Sequence, residues 1–148
     1  MQSYHKQKDE IFEKHKIVYE YFLDNKTDKN LDEIYKIINQ NTKNKPYNIY
    51  VTDDNFIVKN TTYKKDLHLD LNFAKDTFLE HKQNEQIGLS LPIYEFYSSK
   101  FFSYSDQFLP NSNSIMQVSY TYEGLSEDLD TLKELLHKNV DIKNLVLM

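Results

Sequence analysis

Around Lys45-Pro46 the spacing at which apolar residues recur changes from about three and a half to two, and this break constrains the fold more than any other feature of the chain. Before it, Ser3 to about Asn25 holds no Gly or Pro and sets Tyr4, Ile11 and Val18 seven apart, with His15 and Phe22 on the interleaved row. That pattern predicts a long helix whose narrow apolar stripe packs on one side or meets a copy of itself. A second helix is predicted from the face Leu31, Ile34, Tyr35 and Ile38, with Asn30 and Glu33 in the arrangement of a capping box.

After the break the chain reads as strands. Asn48 to Asp53 and Phe56 to Thr61 flank Asp54-Asn55, which predicts a β-hairpin. A short helix is predicted from about Phe73 to Lys82 with Asn72 as its cap, followed by strands over Gln86 to Tyr94, Lys100 to Leu109 and Ser114 to Glu123. The turn between the last two, Pro110 to Asn113, is rich in residues that bond their own backbone or tolerate left-handed conformations. Ser126 caps a final predicted helix carrying Leu125, Leu129, Leu132 and Leu136. The apolar end, Leu145 to Met148, fits either a chain that continues or a terminal strand docked on the sheet. The expected class is therefore α+β, a five-stranded antiparallel sheet with a long N-terminal helix and flanking helices. With 148 residues the chain fits one domain, 1–148, comprising a helical N-terminal segment over residues 1–45, a sheet core over 46–124 and a C-terminal helix and link over 125–148.

Composition narrows the function. All 18 basic residues are Lys, against 23 acids and a formal charge of -5, so the guanidinium forks that most often read base edges or clamp phosphates are missing. Nucleic acid is not an expected partner. The absence of Cys removes thiolate catalysis, disulfides and Cys-ligated metals. Only Gly88 and Gly124 are present, so neither a dinucleotide fingerprint nor a P-loop can be written. No serine sits in a nucleophile elbow, and no two of His5, His15, His68, His81 and His137 have the i, i+4 spacing of a helical zinc site. The acid pairs Asp53-Asp54 and Glu127-Asp128 are adjacent, so their side chains diverge, and both sit where acids are favoured structurally. In an extended backbone Asp66, His68 and Asp70 would share one face opposite Leu67, Leu69 and Leu71, a two-carboxylate, one-imidazole set. The ordinary reading of that stretch is three buried leucines and a solvated polar face. No cofactor, no metal and no catalytic residue is expected.

What stands out is aromatic density, with nine of the 21 Phe and Tyr residues between Tyr94 and Tyr122. Phe102, Tyr104, Asp106 and Phe108 share one strand face, and Met116, Val118, Tyr120 and Tyr122 share one face of the next strand. A face of Tyr hydroxyls with one carboxylate suits a small polar ligand, because Tyr joins apolar area to a polar tip. The same rings could instead fill a core beneath the helices.

The run Tyr47-Asn-Ile-Tyr-Val-Thr-Asp-Asp-Asn-Phe-Ile-Val-Lys-Asn-Thr-Thr-Tyr63, behind a long leading helix and followed by Asp66-Leu-His-Leu-Asp-Leu71, resembles a Cache domain. Cache domains are PAS-like extracytoplasmic sensors of bacterial signalling proteins, and the wording is closest to those of diguanylate cyclases. Where His68 stands, a glycine is usual in that family. The resemblance implies strand order 2-1-5-4-3, the long helix on one face of the sheet and a ligand pocket on the other, between the Asn60 to Asp70 connection and strands three to five. It also implies membrane spans on either side of this segment in a membrane-anchored parent, and a periplasmic location for the domain. The expected pocket residues are Tyr63, Tyr94, Tyr104, Asp106, Tyr120 and Tyr122, with Tyr50 as a floor; the opposite strand parity would offer Ser103, Ser105, Gln117 and Ser119. The expected function is a non-enzymatic sensor that binds a small molecule, with a homodimer through the leading helix as a second expectation. The alternative is a PAS-like interaction module filled by its own aromatics, with no ligand.

Overall fold

A computed structural model describes residues 2–96 and 98–122. The predicted C-terminal helix and the apolar end lie outside the described residues, as do the side chain of Tyr4 and the turn at Glu127-Asp128. Helix α1 spans Gln2–Asp24 and buries Ile11, His15, Val18 and Phe22, the four-three-four spacing of a single helical face. Helix α2, Asp32–Ile38, buries Ile34 and Ile38. Its expected capping box is replaced by a simpler start: Asn30 Oδ1 accepts the Asp32 amide at 2.7 Å, two residues on, and Glu33 plays no part. At its far end the Asn39 side chain bonds both the amide (3.0 Å) and the carbonyl (3.1 Å) of Tyr47, pinning the helix to the first strand.

The strands are β1 Tyr47–Thr52, β2 Val58–Thr61, β3 Gly88–Leu89, β4 Ile93–Glu95, β5 Lys100–Phe108 and β6 Ile115–Thr121. β2 starts later than predicted because Phe56 adopts a φ of 63°, and Asp53 closes the turn by accepting the amides of Asn55 and Ile57. The predicted strand from Gln86 to Tyr94 is broken in two at Ser90 to Pro92, where Pro92 has no amide to give the ladder. All pairings are antiparallel, in order β2-β1-β6-β5-β3, with β4 also on β5 beyond the break. Counting β3 and β4 as one interrupted strand, this is the expected five-strand order. The fold is α+β with a long N-terminal helix and flanking helices.

Between β2 and β3 lie 3₁₀ turns at Lys64–Asp66 and Asn72–Ala74, and then helix α3, Lys75–Gln83. Asn72 does not cap α3, which starts after Ala74 without a side-chain cap; instead Asp70 Oδ1 accepts the Asn72 amide at 2.8 Å in an Asx turn leading into the second 3₁₀ turn. The extended backbone that would have set Asp66, His68 and Asp70 on one face does not form. Asp66 sits in a 3₁₀ turn and is buried, while His68 has a φ of 72°, the left-handed region in which glycine is unstrained. His68 and Leu69 there exchange backbone bonds with Val58, folding the connection back over the sheet edge.

Each face of the sheet has its own core. Under α1 and α2 lie Ile49, Val51, Met116 and Val118 with the helix residues. On the other face Phe56, Val58, Leu71, Phe78, Phe108 and Ile115 gather under α3 and the connection. Among the described residues no helix is long and apolar enough to cross a membrane.

Candidate functional site

The second face is not filled along its length. Beside its core, between the sheet and the connection leading into α3, is a cavity of about 330 Å³, at the small end of ligand cavities. Tyr50 from β1, Tyr104 and Asp106 from β5 and Gln117 from β6 form its floor, and Asp66, Leu71 and Phe78 close it from above. Register explains why these residues meet. Tyr50 opposes Gln117 and Tyr104 opposes Ser119, and opposed residues of antiparallel strands share a face. Ile93 joins the wall from β4 because it opposes Phe102.

The aromatic floor is ordered by its own packing. The Tyr50 and Tyr104 rings meet edge to face at 5.8 Å, and Tyr104 stacks on Phe102 at 6.1 Å. The Tyr50 hydroxyl donates to Asp66 Oδ2 at 2.7 Å, tying the floor to the connection. Burial, with Tyr104 and Asp66 adding to it, pushes the Tyr50 phenol well above its usual range, so it remains a neutral donor. Ser119 Oγ, on the same face, is buried and makes no well-formed hydrogen bond among the described residues.

One wall is polar and tightly fitted. His81 Nδ1 and Asp106 Oδ2 are 2.7 Å apart, and the His81 ring lines an open cleft on the far side, so the pair partitions cleft from cavity. Burial raises the Asp106 carboxyl pKa, and the His81 hydrogen bond opposes that rise. Gly88 opposes Asp106 across β3 and β5. A Cβ there would lie 2.0 Å from His81 Nδ1 and 2.3 Å from Asp106 Oδ1, so only glycine leaves room for the pair.

Directly behind this wall, on the α1 face, His15 Nδ1 is 2.6 Å from Ser105 Oγ, and its Nε2 is 2.8 Å from Gln107 Oε1. With Nε2 donating to the Gln107 carbonyl oxygen, Nδ1 accepts from the Ser105 hydroxyl. His15 is fully buried, and desolvation lowers its pKa to about 4. Ser105 Oγ also accepts the Val118 amide at 2.8 Å, at a point where the β5 and β6 register skips Ser105 and Asp106.

Of the residues predicted from sequence, the structure brings Tyr50, Tyr104 and Asp106 together on the cavity. Tyr63 packs at the edge of the same core, but its hydroxyl donates to Glu95 at 3.0 Å and it lines a neighbouring cleft; burial and Glu95 push its pKa up to about 12. Tyr94 opposes Phe101, so it points away from Ile93 and packs on Phe96 and Phe101. Tyr120 and Tyr122 lie on the α1 face, a correction with a simple cause: Tyr104 is opposed by Ser119, so Tyr120 is on the other side of the pleat. There Tyr120 packs on Tyr47 at 5.3 Å, and the Tyr122 hydroxyl bonds Ser103 Oγ at 3.0 Å. The alternative set divides the same way, with Gln117 and Ser119 on the cavity face and Ser103 and Ser105 on the helix face. Asp66 was missed as a pocket residue because no periodicity marks the 3₁₀ turn that carries it.

No family model and no curated protein matches the chain. Among solved structures it is similar to the Bacillus subtilis YkuI protein, a protein with an EAL domain seen in complex with substrate c-di-GMP and calcium. The identity is 9%, the TM-score is 0.49, and the match covers 83% of this chain and 36% of that one. A likeness of that degree carries no functional argument.

Proposed function

We propose that this chain is a ligand-binding sensor domain, without catalytic activity of its own, of a membrane-anchored bacterial signalling protein such as a diguanylate cyclase or a related receptor. The observation that carries the reading is the cavity in which Tyr50, Tyr104 and Asp106 converge between the sheet and the β2 to α3 connection. The periplasmic location and the membrane-anchored parent rest on the resemblance of residues 47–71 to Cache domains.

The strand that floors the cavity also touches α1. Along β5, Tyr104 and Asp106 face the cavity while Ser105 and Gln107 hold His15, so a ligand that displaces the first pair acts on the second through one backbone. The β5 and β6 pairing is interrupted at Ser105 and Asp106, which pair on their other side with Leu89 and Gly88 of β3. For binding to signal, the ligand must prefer one setting of α1 against the sheet, because equal affinity for two settings shifts neither. A homodimer through α1 would carry that change to a partner copy, but not through Ile11 and Val18, which are buried against the sheet.

A thermal-shift screen against amines, carboxylates, sugars and purines tests the reading. A ligand at 100 times its dissociation constant adds ~2.7 kcal/mol, raising the midpoint of a chain this size by several degrees. The expected result is a shift for one chemical class that Tyr104→Ala abolishes; a shift that survives Tyr104→Ala unchanged would contradict the assignment of the site.

A further inference from the structure

Where the cavity meets solvent, its edge is apolar. Leu69 and Phe73, from the connection between β2 and α3, both line the cavity, yet they are 43% and 84% exposed. Between them in sequence, Leu71 is buried in the core of the same sheet face. Single exposed apolar side chains are ordinary on a protein surface, whereas two that border one cavity leave apolar area where a bound molecule would cover it. The backbone that carries Phe73 is braced on its N-terminal side. Asp70 Oδ1 accepts the Asn72 amide at 2.8 Å, and the Asn72 side chain donates to the Asn55 carbonyl at 2.8 Å. Phe73 is therefore held at the cavity edge by its neighbours' hydrogen bonds and not by burial of its own ring.

The polar atoms of the wall supply a second observation, because they bond within the protein. The Tyr50 hydroxyl donates to Asp66, Asp106 and His81 are 2.7 Å apart, and Ser90 Oγ accepts the Tyr104 amide at 2.9 Å. Most of the remaining wall is carbon, from Leu71, Ala74, Phe78 and Ile93 with the crossed rings of Tyr50 and Tyr104. A molecule entering such a space gains chiefly by taking apolar area out of water.

We propose that the cavity recognises its ligand by a compact apolar body, a single aromatic ring with a short chain, which Leu69 and Phe73 cover at the edge; this deepens, and rests on, the ligand-binding reading above. Leu71, Phe78 and Ile93 take one side of that body and the Tyr50 and Tyr104 rings the other. A dry cavity of roughly 150 Å³ holds benzene. The volume of about 330 Å³ therefore leaves room for a ring and a few further atoms, not for a larger ring system. Phe73 is a binding residue in this assignment although it adds little to the core.

Benzyl alcohol, 2-phenylethanol and 3-phenyl-1-propanol share a ring and a hydroxyl and differ by one methylene at a time. Calorimetric titration of the full chain is expected to show affinity rising about fourfold per methylene, and no binding of glycerol, which has hydroxyls but no apolar body. Phe73→Ser is expected to weaken 3-phenyl-1-propanol by about threefold or more. The same variant is expected to leave the unfolding midpoint of the unliganded chain nearly unchanged, because an exposed ring contributes little to stability. The chain contains no tryptophan, so Phe73→Trp places a single fluorophore at the cavity edge, and its emission is expected to shift to shorter wavelength as the ligand covers it. Affinity that does not rise along the series, or a Phe73→Ser protein that binds as tightly as the unmodified chain, overturns the proposal. So does sedimentation showing that Phe73 joins two copies of the chain while the compounds do not bind. A polar compound that binds at Tyr104 when no member of the series does overturns it too, and leaves the ligand-binding reading standing. Failure of every compound, in the series and in the screen, overturns both.

Discussion

Acidification tests the structure through His15. The imidazole is fully buried and desolvation lowers its pKa to about 4, against 6.5 when unfolded. Below pH 6.5 the unfolded chain therefore takes up a proton that the folded chain refuses, and stability falls as pH falls through the window from 6.5 to 4. Integrating over that window, this one residue removes about 2 kcal/mol by pH 5 and about 3 kcal/mol by pH 4. For a chain of 148 residues the loss at pH 5 corresponds to about 6 °C in melting temperature. The control is His15→Gln, which keeps polar contact with Ser105 and Gln107 but does not titrate. Urea unfolding of both proteins at pH 7, 6, 5 and 4 and fixed ionic strength isolates the His15 contribution, because the carboxylates and the other histidines are common to both. The expected result is that the unmodified protein loses about 2 kcal/mol more than the variant between pH 7 and pH 5. Parallel pH profiles would show instead that His15 is solvated or is held as the cation.

Three further outcomes are expected. Gly88→Ala drives a Cβ to within 2.3 Å of both His81 and Asp106, and is expected to cost about 1–3 kcal/mol in urea unfolding. His81→Leu leaves the Asp106 carboxylate buried without its donor; the expected loss is about 1–3 kcal/mol at pH 7. Because the folded pKa of Asp106 is already raised, that loss shrinks as pH falls and the carboxyl protonates, the reverse of the His15 profile. Tyr104→Ala, at the edge of a cavity, is expected to cost less than the ~3–5 kcal/mol typical of an aromatic ring in a filled core, so a full-sized loss in equilibrium unfolding would favour the packed interaction module.

The elements were legible in the sequence to the extent that one period ran unbroken. α1 shows its buried face at Ile11, His15, Val18 and Phe22, and the switch to period two after Pro46 locates β1. Legibility failed where backbone conformation departs from the period. Phe56 and His68, both at positive φ, shorten β2 and break the alternation that would have aligned Asp66 with Asp70. Half of the site was likewise legible. A turn of four residues from Pro110 to Asn113 sets Leu109 opposite Ser114, and carrying that register along the hairpin puts Ser119, not Tyr120, across from Tyr104. Aromatic density pointed instead to Tyr120 and Tyr122, which pack on the α1 face, Tyr122 buried and Tyr120 partly so. Asp66 had no such arithmetic, since its position depends on a 3₁₀ turn and on the hydroxyl of Tyr50, 16 residues earlier.

On the ligand-binding reading, a small molecule occupies the cavity between the sheet and the β2 to α3 connection. Amide chemical-shift mapping of the isotopically labelled chain, titrated with the compound giving the largest thermal shift, tests it most directly. The strongest perturbations are expected at Tyr50, Asp66, Tyr104, Asp106 and Gln117, with weaker ones reaching Ser105 and His15 through β5. Perturbations centred on Tyr120, Tyr122 and the outer face of α1, with the cavity residues unmoved, would contradict it.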